Sequence, residues 1–127
     1  MTALTPAEMA DRTGASIDTL RYYEKEGLLR DIPRATNGHR RYREDDVLWV
    51  EVLRCLRDTG MTIEQLRHYC DLSAEGPRTE PERETMLRDH RSLVEQQIEE
   101  RRAALKLIDH KLSFYAGTPT ADPRKQT

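Results

Sequence analysis

Arg21, Tyr22 and Tyr23 sit side by side in Ile17-Asp-Thr-Leu-Arg-Tyr-Tyr-Glu-Lys-Glu-Gly-Leu-Leu, and Arg40, Arg41 and Tyr42 follow Asn37-Gly-His. These residue types suit contact with nucleic acid. An arginine forks onto a base edge or a phosphate, and a tyrosine hydroxyl donates to a phosphate oxygen. Ser16 and Thr19, at the head of the first stretch, complete the candidate contact set. From Leu20 to Arg43 seven Lys/Arg stand against three acids, although the whole chain carries a formal charge of -2. Such a local basic excess is the footprint a phosphate backbone favours. Taken alone, Arg21 to Tyr23 also read as ordinary helix surface and core, with Tyr23 packed on a later helix. Arg40 and Arg41 alone read as a solvated turn. The two groups together favour DNA contact.

The elements that must hold these residues are legible in part. Ser16 is a good N-cap, and Gly27 closes the helix as a C′ glycine. Thr5-Pro6-Ala7-Glu8 is a capping box with proline in the first helical turn, opening a helix to about Arg12. Thr13-Gly14-Ala15 then turns the chain, so the spacing predicts a helix-turn-helix with Ala7, Met9, Ala10, Ile17 and Leu20 packed between the two helices. Leu28-Leu29-Arg30 and Arg41-Tyr42-Arg43 are expected to pair as strands of a wing, with Asn37-Gly38 as the hairpin signal. The acids Glu44-Asp45-Asp46 suit the start of a third helix, running from Val47 to about Thr59. Its expected apolar face is Leu48, Val52, Cys55 and Leu56. Gly60 stops it. Thr62-Ile63-Glu64-Gln65 caps a fourth helix with Ile63, Leu66, Tyr69 and Cys70 inward.

Hydrophobic residues make up 36% of the 127 and charged residues 35%, a thin supply for a self-sufficient core. Part of the chain is therefore expected to bury an apolar stripe on another molecule. The segment from Glu82 to Tyr115 has no internal Gly after Pro81 and carries Leu87, Val94, Ile98, Leu105, Ile108, Leu112 and Tyr115 on a heptad seam. Arg91 and Arg101 interrupt that seam, which suits a two-chain coiled coil. The expected organisation is a DNA-binding domain over 1–72, a linker over 73–81, a dimerisation helix over 82–116 and a flexible tail over 117–127.

The first residues lack a basic start followed by an apolar run, and no stretch approaches a membrane span. With only Cys55 and Cys70, no disulfide framework is expected, and the reading is a cytoplasmic protein. His68, His90 and His110 lie on different helices without a second ligand one turn away, so no metal is expected. No phosphate-cradling glycine loop and no nucleophile–base pair is present. The sequence offers no cofactor site and nothing that supports an enzyme.

Leu20-Arg-Tyr-Tyr-Glu, Gly27-Leu-Leu, Arg40-Arg-Tyr, Asp46-Val and Gly60-Met-Thr-Ile-Glu-Gln-Leu, in this order, resemble the MerR family of bacterial transcriptional regulators. The resemblance implies a mainly α fold: a winged helix-turn-helix followed by a long C-terminal helix that forms an antiparallel coiled coil with a second copy. It implies a homodimer on a palindrome in the spacer of double-stranded promoter DNA. The dimer distorts that DNA so that RNA polymerase holoenzyme engages both promoter elements. His39 stands where the family often carries tyrosine. Trp49-Val-Glu-Val-Leu-Arg-Cys-Leu-Arg-Asp-Thr-Gly is similar to the short, thiol-responsive branch that senses aldehydes and related electrophiles, where a cysteine at the position of Cys55 is the proposed sensor. Read from its own spacing, Cys55 is equally a small hydrophobe on an apolar helix face. Two other readings stay open: a regulator that needs no effector, and an adaptor that uses its coiled coil to bind a protein partner.

Overall fold

The computed structural model describes residues 3–117. The start of the chain follows its capping chemistry. Thr5 accepts the backbone N–H of Glu8 at 3.1 Å while Glu8 accepts that of Thr5 at 2.9 Å, and α1 runs Pro6–Thr13. Helix α2, Ile17–Lys25, starts on Ser16, whose hydroxyl accepts the N–H of Thr19 at 3.0 Å. It ends in a left-handed turn at Gly27 (φ 79°), with Leu28 N–H bonded to Tyr23 O at 2.8 Å and Gly27 N–H to Glu24 O at 3.2 Å. These bonds satisfy carbonyls that the helix end leaves open.

Helix α3 is Glu44–Asp58 and α4 is Ile63–Ala74, the latter opened by a second reciprocal box between Thr62 and Gln65. A single 3-10 turn, Pro77–Thr79, leads into α5, Glu80–Tyr115. Residues up to Arg88 form one packed unit, and α5 from Asp89 onward belongs to another. The expected flexible tail, apart from Gly117, lies outside the described residues.

Met9, Leu20, Tyr23, Leu28, Leu29, Tyr42, Val50, Leu53 and Leu66 make the centre of the first unit. Each fully buried side chain of this size contributes about 1.5–3 kcal/mol. Among the residues expected between α1 and α2, Met9 and Leu20 are buried, while Ile17 and Ala7 are exposed.

Two expectations need correction. The buried face of α3 is Val47, Val50, Leu53 and Leu56; of the expected face, Leu56 is buried and Val52 half-buried against the core, but Leu48 and Cys55 are not part of it. Leu48 is 66% exposed and Cys55 is exposed. Both stripes repeat at helical spacing, and packing against α1 and α4 selects the first. The wing also differs. No strand is formed among the described residues, and Leu28-Leu29-Arg30 does not pair with Arg41-Tyr42-Arg43. Tyr42 instead exchanges two backbone bonds with Leu4, at 2.7 and 2.8 Å, and Arg34 lies opposite Arg40. Leu28 and Leu29 are used as core side chains, which turns their backbone into the α2 exit.

Polar side chains tie these elements together at long range. Arg12 of α1 grips Glu44 of α3 through two bonds of 2.8 and 3.0 Å. This contact raises the arginine pKa and lowers the carboxyl pKa, through the hydrogen bonds first and charge second. Arg67 of α4 donates to both the backbone and the carboxylate of Glu26 at the α2 exit, at 3.1 and 2.6 Å. Trp49 donates its indole N–H to Leu28 O at 2.9 Å and stacks on Tyr69 at 5.9 Å between ring centres.

Candidate nucleic-acid interface

The turn between Arg34 and Arg40 is built from its sequence. Ala35 N–H bonds to His39 O at 2.8 Å and Gly38 N–H to Ala35 O at 2.9 Å, leaving Thr36-Asn37-Gly38 as a three-residue loop. Gly38 takes φ 84°, the left-handed position that such a loop requires. The Asn37 side chain accepts the N–H of His39 at 3.0 Å and stiffens the tip. Arg41 N–H to Pro33 O at 2.8 Å closes the base. The Asn37-Gly38 signal therefore marks a real reversal, paired locally between 33–35 and 39–41, with Tyr42 beyond it bonded to Leu4.

This tip adjoins α2. Pro6, Arg21, Gly38, His39 and Arg40 line a shallow notch of about 220 Å³. Arg21 and Tyr22 are exposed on α2, and no ion pair of Arg21 occurs among the described residues. Arg41 is half-buried and spends one guanidinium N–H on Arg40 O at 3.2 Å. Arg40 is held differently: its Nε donates to Glu24 Oε2 at 2.6 Å, and Arg34 Nη2 stands 3.9 Å from Glu24 Oε1.

Not every expected contact residue lies on this surface. Tyr23 and Tyr42 are 5% and 1% exposed, and burial first of all pushes both phenol pKa values up. Tyr42 lies near Arg40 and Arg21, whereas Tyr23 adjoins Tyr22 and the charged residues Arg54, Arg57 and Asp58 of α3. Ser16 and Thr19 bond each other at 3.0 Å at the start of α2, so Ser16 acts here as a cap. Glu24, Arg34 and His39 belong to the same surface; the pairing of Glu24 with Arg34 and Arg40 escaped the sequence reading. The basic count over this region contained Arg34 and Glu24, but nothing local paired them.

The two cysteines have opposite surroundings. Cys70 is buried at 4% exposure, its thiol directed at Leu28 O 3.7 Å away, and burial pushes its pKa up to about 11. Cys55 is a free, exposed thiol on α3. No group of His, Cys, Asp and Glu among the described residues is arranged to hold a metal ion. No described helix is long and apolar enough to cross a membrane.

Comparison with known proteins agrees with this geometry. The model for the MerR HTH family regulatory protein matches residues 4–73, and that for the MerR DNA-binding region matches 47–111. An uncharacterized HTH-type transcriptional regulator of Haemophilus influenzae is 36% identical over 87% of this chain and 82% of its own length. The HTH-type transcriptional regulator AdhR of Bacillus subtilis is 41% identical over 67% of this chain and 61% of that protein. The crystal structure of HiNmlR, a MerR family regulator lacking the sensor domain and bound to promoter DNA, superposes with a TM-score of 0.83 and 34% identity. That match covers 91% of this chain and 92% of the other. A transcriptional regulator of the MerR family from Bacillus thuringiensis gives a TM-score of 0.81 at 30% identity, over 90% of this chain and all of that one. With helix, turn, basic tip and long helix in this order, the chain is not an enzyme but belongs to the MerR family of DNA-binding transcriptional regulators.

Proposed function

We propose that the chain works as a homodimer on promoter DNA, each copy setting α2 in a major groove and its wing on the flanking backbone. The observation that carries this reading is the pairing of an exposed Arg21 and Tyr22 with the arginine-bearing tip across one notch. Arg21 and Tyr22 are the groove-facing contacts, with Thr19 beside them. Arg41 meets phosphate, and Tyr23 and Tyr42 hold the two parts in place from below. The apolar seam of α5 supports the dimer: Leu105 is 58% exposed, and Leu87, Ile98, Ile108 and Leu112 are exposed with it, while Val94 is half-exposed. A helix carrying that stripe in water gains by pairing it with a second copy. The dimer distorts the promoter spacer and so lets RNA polymerase engage it.

Anisotropy titration of the chain against the duplex upstream of its own coding sequence tests this. Tight binding that weakens steeply with salt is expected, and Arg21→Ala weakens it roughly tenfold or more. Unchanged affinity of that variant at matched salt overturns the assignment of α2. The regulator further responds to electrophiles through Cys55. Its exposure gives reagents access, whereas Cys70 is shielded. Mild aldehyde treatment followed by mass spectrometry is expected to modify Cys55, and both Cys55→Ser and Cys55→Ala lose aldehyde-induced transcription. Induction that survives both variants means a regulator that needs no thiol.

A further inference from the structure

We infer that Glu24 sets specificity by withholding one wing arginine, Arg40, from indiscriminate phosphate contact. The inference rests on the reading of α2 and the wing as the DNA-facing surface. Glu24 lies on α2, yet its partners are on the wing. Oε2 accepts from Arg40 Nε at 2.6 Å, and Oε1 stands 3.9 Å from Arg34 Nη2. Arg34 also donates through Nη1 to Gly38 O at 3.0 Å, so it braces the tip as well. Both side chains of the Glu24–Arg40 pair are about three-quarters buried, at 23% and 24% exposure. A pair so placed is screened by salt less than a surface pair and holds one geometry.

The consequence follows from how non-specific binding arises. Each cation that replaces a counterion on phosphate adds affinity for any sequence and steepens the dependence on salt. A guanidinium already neutralised by a carboxylate contributes little to that term. No carboxylate stands within ion-pair distance of Arg21 or Arg41 among the described residues, whereas Arg40 is held by Glu24 at 2.6 Å and the half-exposed Arg34 stands 3.9 Å from the same group. Glu24 thus lowers the affinity for random duplex without touching the base-reading face. It also fixes the wing tip relative to α2. Discrimination is a ratio, and reducing its denominator raises it.

The test is the salt dependence of binding to a duplex of mixed sequence, measured by anisotropy with the full chain. Glu24→Gln, which keeps the shape and removes the charge, is expected to bind several-fold tighter at low salt. The slope of log K against log salt steepens by about one unit. Asp18→Asn removes one negative charge from the same helix, but Asp18 makes no ion pair among the described residues; it is expected to leave the slope unchanged. A second variant reads the inference from the other side: replacing Glu24 and Arg40 together by Gln keeps the net charge and moves the mixed-duplex slope little, because the Arg40 charge was already withheld. A Glu24→Gln slope equal to that of Asp18→Asn, or a loss of about one unit in the double variant, overturns the inference while leaving the DNA-facing surface intact. Failure of the unaltered chain to bind any duplex at low salt overturns both.

Discussion

Arg54 of α3 donates through Nη1 to the carbonyl oxygen of Thr13, 2.6 Å away, and so closes the C-terminal end of α1 from another helix. Gly14 makes this possible. It sits at φ 74°, and a Cβ there would come within 2.9 Å of the same Arg54 nitrogen. Gly14→Ala therefore meets both left-handed strain and the loss of the Arg54 bond. The expected cost is about 2 kcal/mol, from roughly 1–2 for the backbone and about 1 for the bond, less what Arg54 recovers by shifting. A lower urea midpoint with an unchanged m-value checks it. Arg54→Ala combined with Gly14→Ala should cost less than the sum of the two, since they share one contact.

Arg41 is expected to serve affinity rather than sequence choice. Arg41→Ala should weaken upstream and mixed duplexes alike and flatten the salt slope by about one unit. Parallel salt titrations of the two duplexes check this, and a loss confined to the upstream duplex would make Arg41 a reader of sequence.

Cys70 links stability to pH. Its thiol titrates near 11 in the fold against 9.0 for the ordinary group. A pKa raised by folding gives stability that is complete below the unfolded value and is lost as pH climbs toward the folded one. Between about pH 9 and 11 the chain should therefore lose on the order of 2 kcal/mol that Cys70→Ala does not lose. Tyr23 and Tyr42 share the direction of shift, so the comparison with the variant isolates the thiol. Denaturant melts of both proteins under reducing conditions at several pH values provide the check.

The seam of α5 predicts the state of assembly. Ile98→Glu together with Leu105→Glu places charges on two exposed seam positions, where they cost the isolated chain little. In a dimer they would face each other in an apolar contact. Light scattering is expected to find a dimer for the unaltered chain and a monomer for this variant. A dimer that survives the change would move the interface elsewhere.

Local chemistry was the part of this fold that the sequence could declare. Thr5 with Glu8, Ser16, Gly27 and Thr62 with Gln65 each act within one turn, and each stands where its residue type belongs. The face of α3 was misread because Leu48 and Cys55 repeat at helical spacing as well as Val47, Val50 and Leu53 do. Only the neighbours decide between those stripes. The clasps Arg12–Glu44, Arg54–Thr13 and Glu24–Arg40 join residues 16 to 41 positions apart, beyond the reach of any periodic pattern. On α2, the exposure of Arg21 and Tyr22 was legible from their positions. The burial of Tyr23 and Tyr42 was not, since a tyrosine serves equally well inside a core and on its rim.

The two backbone bonds between Leu4 and Tyr42 also bear on the order in which the molecule assembles. They join segments separated by α1 and α2, so the base of the arm that carries Arg40 and Arg41 is anchored at Tyr42 only after that whole loop has closed, although its tip pairs locally. Amide exchange at Tyr42 should then track cooperative unfolding rather than hairpin fraying, and trimming the chain ahead of Thr5 should loosen a surface far along the sequence.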